Sequence, residues 1–376
     1  MSEGNVLAID LAKSSFYVHL AASNGRILEK KKLSRARLYE FVANCDAKIV
    51  AMEACGSANF WARQFIKLGK EPRLIAPQYV KPFVKGNKND PNDSEGINEA
   101  ACRHNMRFVP VKTIAQQDIK SLHCLRSRLV AARTALTNQI RGLLAEYGVV
   151  VAKGHAKLRL ELSSLCSLAL EQLPGDLSAT MQQELIELRA EFSELDRRIE
   201  AYDKKIQSHS DSDPRCCELS KMVGVGPLTA TALLAVSGDM AQFKNGRQFA
   251  AFLGLVPRQN STGGKTNLQG ISKRGDTYLR TLMIHGARAS LATAAKRSDY
   301  RSRWAKELLE KKGFNKAAVA LANRNARTAY ALIRRGQTFD PHRAERQQAN
   351  ALPRAKPAPE MRNSSGRLRA PATREL

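Results

Sequence analysis

The acidic pair Asp90 and Asp93 is unusual in a chain with 61 lysines and arginines and only 35 aspartates and glutamates. The two residues lie three positions apart in NKNDPNDSEG, with Pro91 between them. Proline fits the first position of a helix and aspartate fits the capping position before it, so both carboxylates are predicted to face one side of the first turn. Helix capping would explain Asp90 alone, whereas a metal site would use the pair.

Two further carboxylates close short apolar segments. Asp10 ends VLAID and Glu53 ends IVAME, and both segments are predicted to be buried strands. The carboxyl ends of neighbouring parallel strands share one edge of a sheet, where carboxylates are costly to desolvate unless a cation joins them. Together with the acidic pair they predict a Mg²⁺ site, because hard cations prefer oxygen ligands. We expect two ions about 4 Å apart, which would bind oxygens on each side of a reacting phosphorus.

The elements that must position these carboxylates are predicted to form an α/β domain. Between Asn5 and Pro77 the pattern predicts three strands, a helix, a strand, a helix and a strand, with a further helix after them. A first strand ending in Asp, a later strand ending in Glu and an Asp pair on a late helix resemble the RNase H-like fold in its RuvC-like form. The expected fold class is therefore α/β here, followed by mostly helical parts.

Two long helices are predicted after about Thr113, because apolar residues recur there at heptad spacing. The second would be longer than about 30 Å, and the Leu- and Ser-rich segment between the two favours an antiparallel hairpin. The apolar seam could belong to a structural helical domain or could join two protomers as a coiled coil, and both alternatives stay open. The first seam contains Leu122, Leu125, Leu129, Ala132, Leu136 and Leu143, and the second contains Leu185, Leu188, Phe192, Leu195, Ile199, Tyr202 and Ile206.

The composition along the chain predicts four parts. They are a RuvC-like domain over 1–113, a coiled-coil helical domain over 114–210, a mostly helical C-terminal domain over 211–336 and a basic disordered tail over 337–376. The stretch HSDSDP, residues 209–214, is predicted to be a turn at the boundary between the second and third parts. The tail is rich in Pro, Arg and Ala and has few large apolar residues, so it is not expected to form a core.

The net charge indicates the class of partner. The formal charge is +26 and the pI is about 10.1, an excess that DNA or RNA would neutralise. The seven cysteines show no CxxC spacing, so no zinc site is predicted and the thiols are expected to be reduced. Neither a signal peptide nor an apolar run of roughly 20 residues is recognisable. We expect a cytoplasmic, nucleoid-associated protein and no membrane contact.

A glycine turn lies between two apolar helical segments. The stretch KMVGVGPLT contains Gly224 and Gly226, and it resembles a helix-hairpin-helix element whose glycine N–H groups bind a nucleic-acid phosphate. Tight packing of the turn is the alternative explanation.

A second glycine-rich stretch, residues 252–289, combines glycines, hydroxyls and cations. Such a loop lets a backbone approach phosphate, with or without a nucleophile. Five of its cations are predicted to contact nucleic acid, and three lysines flank the acidic pair. The loop cations are Arg258, Lys265, Lys273, Arg274 and Arg280, and the lysines are Lys81, Lys85 and Lys88.

Six motifs together resemble one protein family, the DEDD transposases of insertion sequences, which are relatives of the Piv DNA invertase. The resemblance runs from about Val6 to Gly336. It implies that Asp10, Glu53, Asp90 and Asp93 form a catalytic, metal-binding tetrad and that the C-terminal domain carries a nucleophilic serine. The motifs are AIDLAKSSFYVHL, AMEACGS, KNDPNDSEGI, MVGVGPLTA, FAAFLGLVPRQNSTGGK and GISKRGDTYLR.

The family pattern places the serine before glycine in the loop that follows Pro-Arg. Here NSTGG offers Ser261, with Thr262 and Ser272 as alternatives. The resemblance also implies a coiled coil that assembles a dimer or tetramer, and a structured noncoding RNA from the element that guides the enzyme to element ends and target DNA. The expected function is an RNA-guided transposase that cuts and rejoins DNA through a phosphoserine intermediate assisted by Mg²⁺.

Two other classes of function fit parts of the sequence. A RuvC-like, metal-dependent junction-resolving nuclease would use water and would need the carboxylates but no serine. A nonenzymatic nucleic-acid-binding scaffold would need only the basic surface and the coiled coil. The carboxylates at strand ends argue against the scaffold, and the loop that carries Ser261 argues against the plain resolvase.

Overall fold

The structure is a computed structural model of the chain, and it describes residues 4–84, 90–238, 240–343 and 346. Lys85, Lys88 and most of the predicted tail lie outside these residues, and so does the side chain of Asp90.

The N-terminal part contains a six-stranded mixed sheet in the order β3-β2-β1-β4-β5-β6. The central strands β1, β4 and β5 are parallel, and the other pairs are antiparallel. The first five strands confirm the predicted order. The two-residue β6 was not predicted, because so short a segment shows no period. The strands are β1 (Val6–Leu11), β2 (Ser15–Ala21), β3 (Ile27–Ser34), β4 (Ile49–Glu53), β5 (Glu71–Ile75) and β6 (Phe108–Val109).

Helices cover both faces of this sheet, which explains why its central strands are apolar throughout. Alternate residues of β1 and β4 pack against α1 (Arg35–Asn44) and α2 (Ala58–Lys67) on one face. The residues between them pack against α4 (Asp90–Ala101) on the other face. A short helix α3 (Pro77–Val80) and a 3-10 turn (Lys81–Phe83) lead from β5 towards α4. Helix α4 begins at Asp90, one residue earlier than predicted.

Two long helices follow, α5 (Ile114–Glu146) and α7 (Ala179–Ser212), with α6 (His155–Leu165) between them. Contacts of Arg126 with Asp203 and of Arg133 with Asp196 show that α5 and α7 are antiparallel, as predicted. With 34 residues, α7 is about 51 Å long.

The seam of α7 is as predicted, but part of the predicted seam of α5 is wrong. Leu125 and Leu143 are exposed, whereas Ile140 and Leu144 are buried. The helix period of 3.6 residues drifts from a strict heptad, and the buried residues of α5 form one core with residues of α6 and α7. Whether the pair also joins protomers stays a prediction.

The C-terminal part is mostly helical, as predicted. One large core joins all its helices, and an antiparallel hairpin of two short strands projects from it. No helix in the described part of the chain is long and apolar enough to cross a membrane. The elements are α8 (Pro214–Ser220), α9 (Pro227–Ser237), α10 (Gly246–Phe252), β7 (Pro257–Gln259), β8 (Leu268–Ile271), α11 (Thr277–Thr293), α12 (Tyr300–Lys312) and α13 (Phe314–Arg335).

Candidate functional site

Asp10 and Glu53 are neighbours at the carboxyl ends of β1 and β4. Ile9 pairs with Met52 in the parallel ladder, so the next residue of each strand lies beside the other. Ala8 and Ala51 face α4, and side chains alternate along a strand, so both carboxylates lie on the α4 face. Both residues are half-buried. The sheet therefore brings two acidic side chains together at one edge.

Polar contacts hold α4 against this face of the sheet. The Asn98 side chain donates to the carbonyl oxygen of Val6, at the start of β1. About one turn earlier, Glu95 forms a 2.9 Å ion pair with Lys30, which pairs in register with His19, opposite Ala8. The Asn98 side chain also donates to the carbonyl oxygen of His19, at 3.4 Å, so α4 is fastened over β1 and β2 at this level. Asp93, in the first turn of α4, is half-buried, and among the described residues it does not join Asp10 and Glu53 in a group arranged to hold a metal ion.

The pKa of the Cys55 thiol responds to the negative charge at this edge. Burial raises its pKa, and the charges of Glu53 and Asp10 raise it further. Within the described residues, no group of three or more His, Cys, Asp and Glu side chains is arranged to hold a metal ion. The donor set nevertheless fits a hard cation, because carboxylate oxygens are its preferred ligands. Lys81 is exposed near α4, and the predicted contacts of Lys85 and Lys88 lie outside the described residues.

Ser261 lies at the start of the tip of the β7–β8 hairpin and is exposed. Its Oγ accepts hydrogen bonds from the side chain of Gln259 at 2.9 Å and from the backbone N–H of Asn267 at 3.2 Å. Two donors occupy the oxygen's acceptor positions, so the hydroxyl proton points to other acceptors. Thr262, one residue on, forms an isolated bridge with Lys265. Ser272 is half-buried beyond β8.

The backbone next to Ser261 makes a tight glycine turn at the tip of the hairpin. Gly263 and Gly264 have φ angles of 53° and 76°, a region that residues with a side chain rarely adopt. Four of the predicted nucleic-acid contacts are exposed around the hairpin, as such a role requires. They are Arg258, Lys265, Lys273 and Arg274.

Arg280 is wrongly predicted as a nucleic-acid contact. Its side chain is buried, and the guanidinium donates to the carbonyl oxygens of Leu253 and Arg274, at 3.2 and 3.0 Å. These two carbonyls lie before β7 and after β8, and a third bond goes to the Thr277 hydroxyl. Arg280 therefore fastens the base of the hairpin and faces the protein interior.

We predict that Arg280→Met lowers the free energy of unfolding by about 2–4 kcal/mol, because two buried carbonyl oxygens lose their donors. The change in the free energy of unfolding is measured by urea denaturation, monitored by the fluorescence of Trp304. A Trp61→Phe background removes the other tryptophan. Arg274→Met is the matched control, since this exposed side chain should change stability by less than about 0.5 kcal/mol. Equal effects of the two substitutions would contradict the assignment.

The glycine turn joins α8 to α9, and helix packing accounts for one of its two glycines. Gly224 has a φ of 85°, and a Cβ there would lie 2.8 Å from the Gly286 carbonyl oxygen and 2.6 Å from the Ser290 hydroxyl. Gly226 is exposed at the N-cap of α9. Phosphate binding by this turn stays a prediction.

The buried side chain of His123 joins α5 to the C-terminal core. Its ring nitrogens lie 3.0 Å from the Tyr278 and Thr231 hydroxyls. Nearby, Lys120 lies 3.4 Å from Asp276, whose carboxylate caps α11. The helix that carries Arg280 is thus also bound to α5. A single histidine within a heptad pattern carries no signal that would have predicted this.

We predict that His123 makes stability depend on pH. Burial, together with the charges of Lys120 and Arg126, lowers its pKa from 6.5 to about 4. The unfolded chain therefore binds more protons between about pH 6.5 and 4, and the free energy of unfolding falls as pH falls through that window, by about 2–3 kcal/mol in total. Urea unfolding of the wild type and His123→Gln at pH 7, 5.5 and 4.5 measures it. The variant should lose less stability on acidification, and parallel curves would contradict the prediction.

Comparisons with known proteins match both parts of this arrangement. A DEDD transposase family model of the IS110 type matches residues 7–149, and the model described as "Transposase IS116/IS110/IS902 family" matches residues 216–303. The first contains Asp10 and Glu53, and the second contains Ser261.

Full-length relatives agree with these matches. A "Probable family 20 transposase" of Pseudomonas aeruginosa is 48% identical over 335 residues, which cover 89% of this chain and 98% of the relative. The "Transposase for insertion sequence element IS1111A" of Coxiella burnetii is 44% identical over 90% of this chain and 92% of its own length. The "Transposase for insertion sequence element IS1328" of Yersinia enterocolitica is 38% identical over 90% of this chain and 99% of its own length. The chain belongs to the IS116/IS110/IS902 family of transposases.

Proposed function

We propose that the chain cuts and rejoins DNA at the ends of an insertion sequence and at its target, through a covalent phosphoserine intermediate. The observation that carries this proposal is the presence, in one chain of a transposase family, of paired strand-end carboxylates and an exposed, hydrogen-bonded serine on a cationic hairpin. The sheet, with parallel strands at its centre and α4 across one face, is compatible with an RNase H-like fold.

The carboxylates have an electrostatic role in this proposal. Asp10, Glu53, Asp90 and Asp93 would hold divalent metal, for which Mg²⁺ is the natural candidate. The bound metal would stabilise charge on the phosphate oxygens. The protein's own contribution would be to hold Asp10 and Glu53 side by side and to bring Asp90 and Asp93, in the first turn of α4, to them.

Ser261 is the proposed nucleophile. Its oxygen would attack the phosphorus, a bond to the serine would form, and the bond to the 3′ oxygen would break. The phosphoserine keeps the energy of the phosphodiester, so the strand can be rejoined by the reverse attack of a 3′ hydroxyl without ATP. Arg258, Lys265, Lys273 and Arg274 would hold the DNA backbone during both steps.

The remaining parts of the proposal concern assembly and guidance. The carboxylates and Ser261 belong to different parts of the chain, which we propose to be domains over 1–113 and 211–336, joined by the helical part over 114–210 and followed by a tail over 337–376. The α5–α7 pair would assemble a dimer or tetramer and would bring the carboxylates and the serine together, either within one protomer or across two. An element-encoded RNA would pair with element ends and target. The high net charge of +26 suits two nucleic acids at once.

The experiment uses the purified full-length chain with its co-purifying RNA, Mg²⁺ and labelled DNA that carries the joined ends of its element. On a denaturing gel we expect label that migrates with the protein, together with rejoined product, and we expect both to disappear after RNase treatment. Cut DNA without a protein adduct would instead identify a nuclease that uses water. An adduct that survives RNase treatment would remove the guide RNA from the proposal.

A further inference from the structure

A cleft of about 430 Å³ opens at the same edge of the sheet as the carboxylates. Its walls are formed by the residues that follow Asp10 and Glu53 along the chain. On one side lies Lys13, and on the other lies the Cys55–Ser57 turn, with Arg35 at the start of α1 completing the wall. None of the lining residues is acidic. The cleft is thus a cationic site directly beside an anionic one.

The chemistry of these walls suits an anion. Lys13 and Arg35 supply two positive charges from different elements. Ser57 has a φ of 68° and precedes the ten-residue helix α2, which it does not cap with its side chain. Ser57 lines the cleft, so the positive end of α2 lies beside the cations. A phosphate would gain a hydrogen-bond donor and two charges here.

An exposed aromatic side chain lies beside Arg35, one of the residues that line the cleft. The Arg35 guanidinium lies 5.8 Å from the ring centre of Phe60 and 5.1 Å from that of Trp61. Trp61 is buried, but Phe60 is 41% exposed, which is unusual for phenylalanine next to a charged wall. Exposed aromatics beside cations bind unpaired nucleotides, because bases stack on the ring while the cation holds the phosphate. The combination distinguishes this cleft from a general basic patch.

We propose that this cleft binds one phosphate of an unpaired DNA strand, next to the phosphate at the carboxylates, and that a base of that strand stacks on Phe60. The inference rests on the proposed function, since the carboxylates must act on DNA for a neighbouring phosphate to lie here. It adds a requirement that the carboxylates alone do not impose: the strand must be unpaired on this side of the reacting phosphate.

The test measures binding at the cleft without chemistry, in full-length Ser261→Ala protein. A 12-nucleotide single strand with 5-bromouracil is photocrosslinked, and the crosslinked peptide is mapped by mass spectrometry. We expect a crosslink to the peptide that contains Phe60, at least about fivefold weaker in Phe60→Ala and in Lys13→Gln. Two controls lie on α2: Ile66→Ala removes an exposed apolar side chain, and Lys67→Gln removes an exposed charge. Both should leave the crosslink unchanged.

Three results would overturn the proposal. They are a crosslink absent from this peptide, equal effects of Lys13→Gln and Lys67→Gln, and efficient crosslinking of the same sequence as a duplex. A single-stranded RNA of that sequence is the last comparison: if RNA crosslinks at Phe60 better than DNA, the cleft belongs to the guide and the proposal is wrong. Because Ser261 is absent, a failure of the phosphoserine mechanism leaves these readings unchanged, so the two failures are distinguishable.

Discussion

Asp10→Asn should reduce strand cleavage by about 10³-fold or more, the scale on which losing one electrostatic group costs an active site. Asparagine keeps the size of the side chain and removes its charge. Asp10 lies beside Glu53 at the sheet edge and is half-buried, so its charge acts at short range and little solvent screens it. Single-turnover cleavage of the element-end DNA with Mg²⁺ measures the loss.

The matched control is Asp46→Asn. Asp46 precedes β4, at the opposite end of the sheet, and is exposed. Its carboxylate accepts a 3.4 Å hydrogen bond from Asn5, which asparagine can retain. This substitution removes the same charge from the same sheet, so cleavage should stay within about twofold. An equal loss in both variants would mean that net charge, and not the strand-end site, limits cleavage.

Cys55 supplies a second measurement that needs no DNA. Because Glu53 and Asp10 both raise the pKa of its thiol, Asp10→Asn should lower that pKa and increase alkylation of Cys55 at a given pH. Mg²⁺ bound by the carboxylates should have the same effect in the wild type and a smaller one in Asp10→Asn. Peptide mass spectrometry separates Cys55 from the other exposed cysteines, Cys102, Cys124 and Cys217. A Cys55 alkylation rate that Mg²⁺ leaves unchanged in the wild type would contradict metal binding at this edge.

The sheet edge with Asp10 and Glu53 was predictable because parallel strands buried on both faces appear as uninterrupted apolar runs. VLAI and IVAM are such runs, and a carboxylate that ends each run must lie where the strand leaves the core. The pairing itself needed only the rule that parallel strands share an edge. At this edge, the position of a residue in the apolar run is enough to predict its position in the folded sheet.

The hairpin that carries Ser261 was not predicted as a hairpin. Its strands have three and four residues, and the seven residues are exposed except for Ile271 at the end, which is half-buried. No alternation of apolar and polar residues can appear in strands without a buried face. Its shape depends on contacts at its base, chiefly those of Arg280, and composition cannot distinguish an arginine that faces DNA from one that faces carbonyl oxygens.

The α5 seam failed for a different reason. The heptad pattern treats a helix as one partner of a single neighbour, but α5 packs against both α7 and α6. Ile140 and Leu144 are buried in the core that α5 shares with α6 and α7, whereas Leu143 is exposed. A heptad repeat describes packing against one partner, so it cannot predict which residues are buried in a helix that has two neighbours.

Ser261→Ala should remove the covalent protein–DNA adduct completely while leaving DNA binding within about twofold, because the hydroxyl is proposed to form a bond rather than to contribute affinity. Ser261 is the exposed hydroxyl whose oxygen is held by Gln259 and Asn267. The measurement is the label that migrates with the protein on a denaturing gel, with binding measured separately by anisotropy.

The two other candidate hydroxyls are the controls. Thr262→Val keeps the shape of the side chain at the next position, and Ser272→Ala removes the half-buried hydroxyl beyond β8. Both should retain the adduct, because the proposed nucleophile is Ser261, whose oxygen accepts from Gln259 and Asn267. An adduct that persists in Ser261→Ala and is lost in one of these variants would move the nucleophile to that residue. Free cut DNA in Ser261→Ala would show that water attacks, and then the carboxylate site would act alone. Asp10→Asn should also abolish the adduct, but Ser261→Ala should leave the response of Cys55 to Mg²⁺ intact. The two variants therefore separate the residue that forms the bond to phosphorus from the residues that stabilise charge on the phosphate.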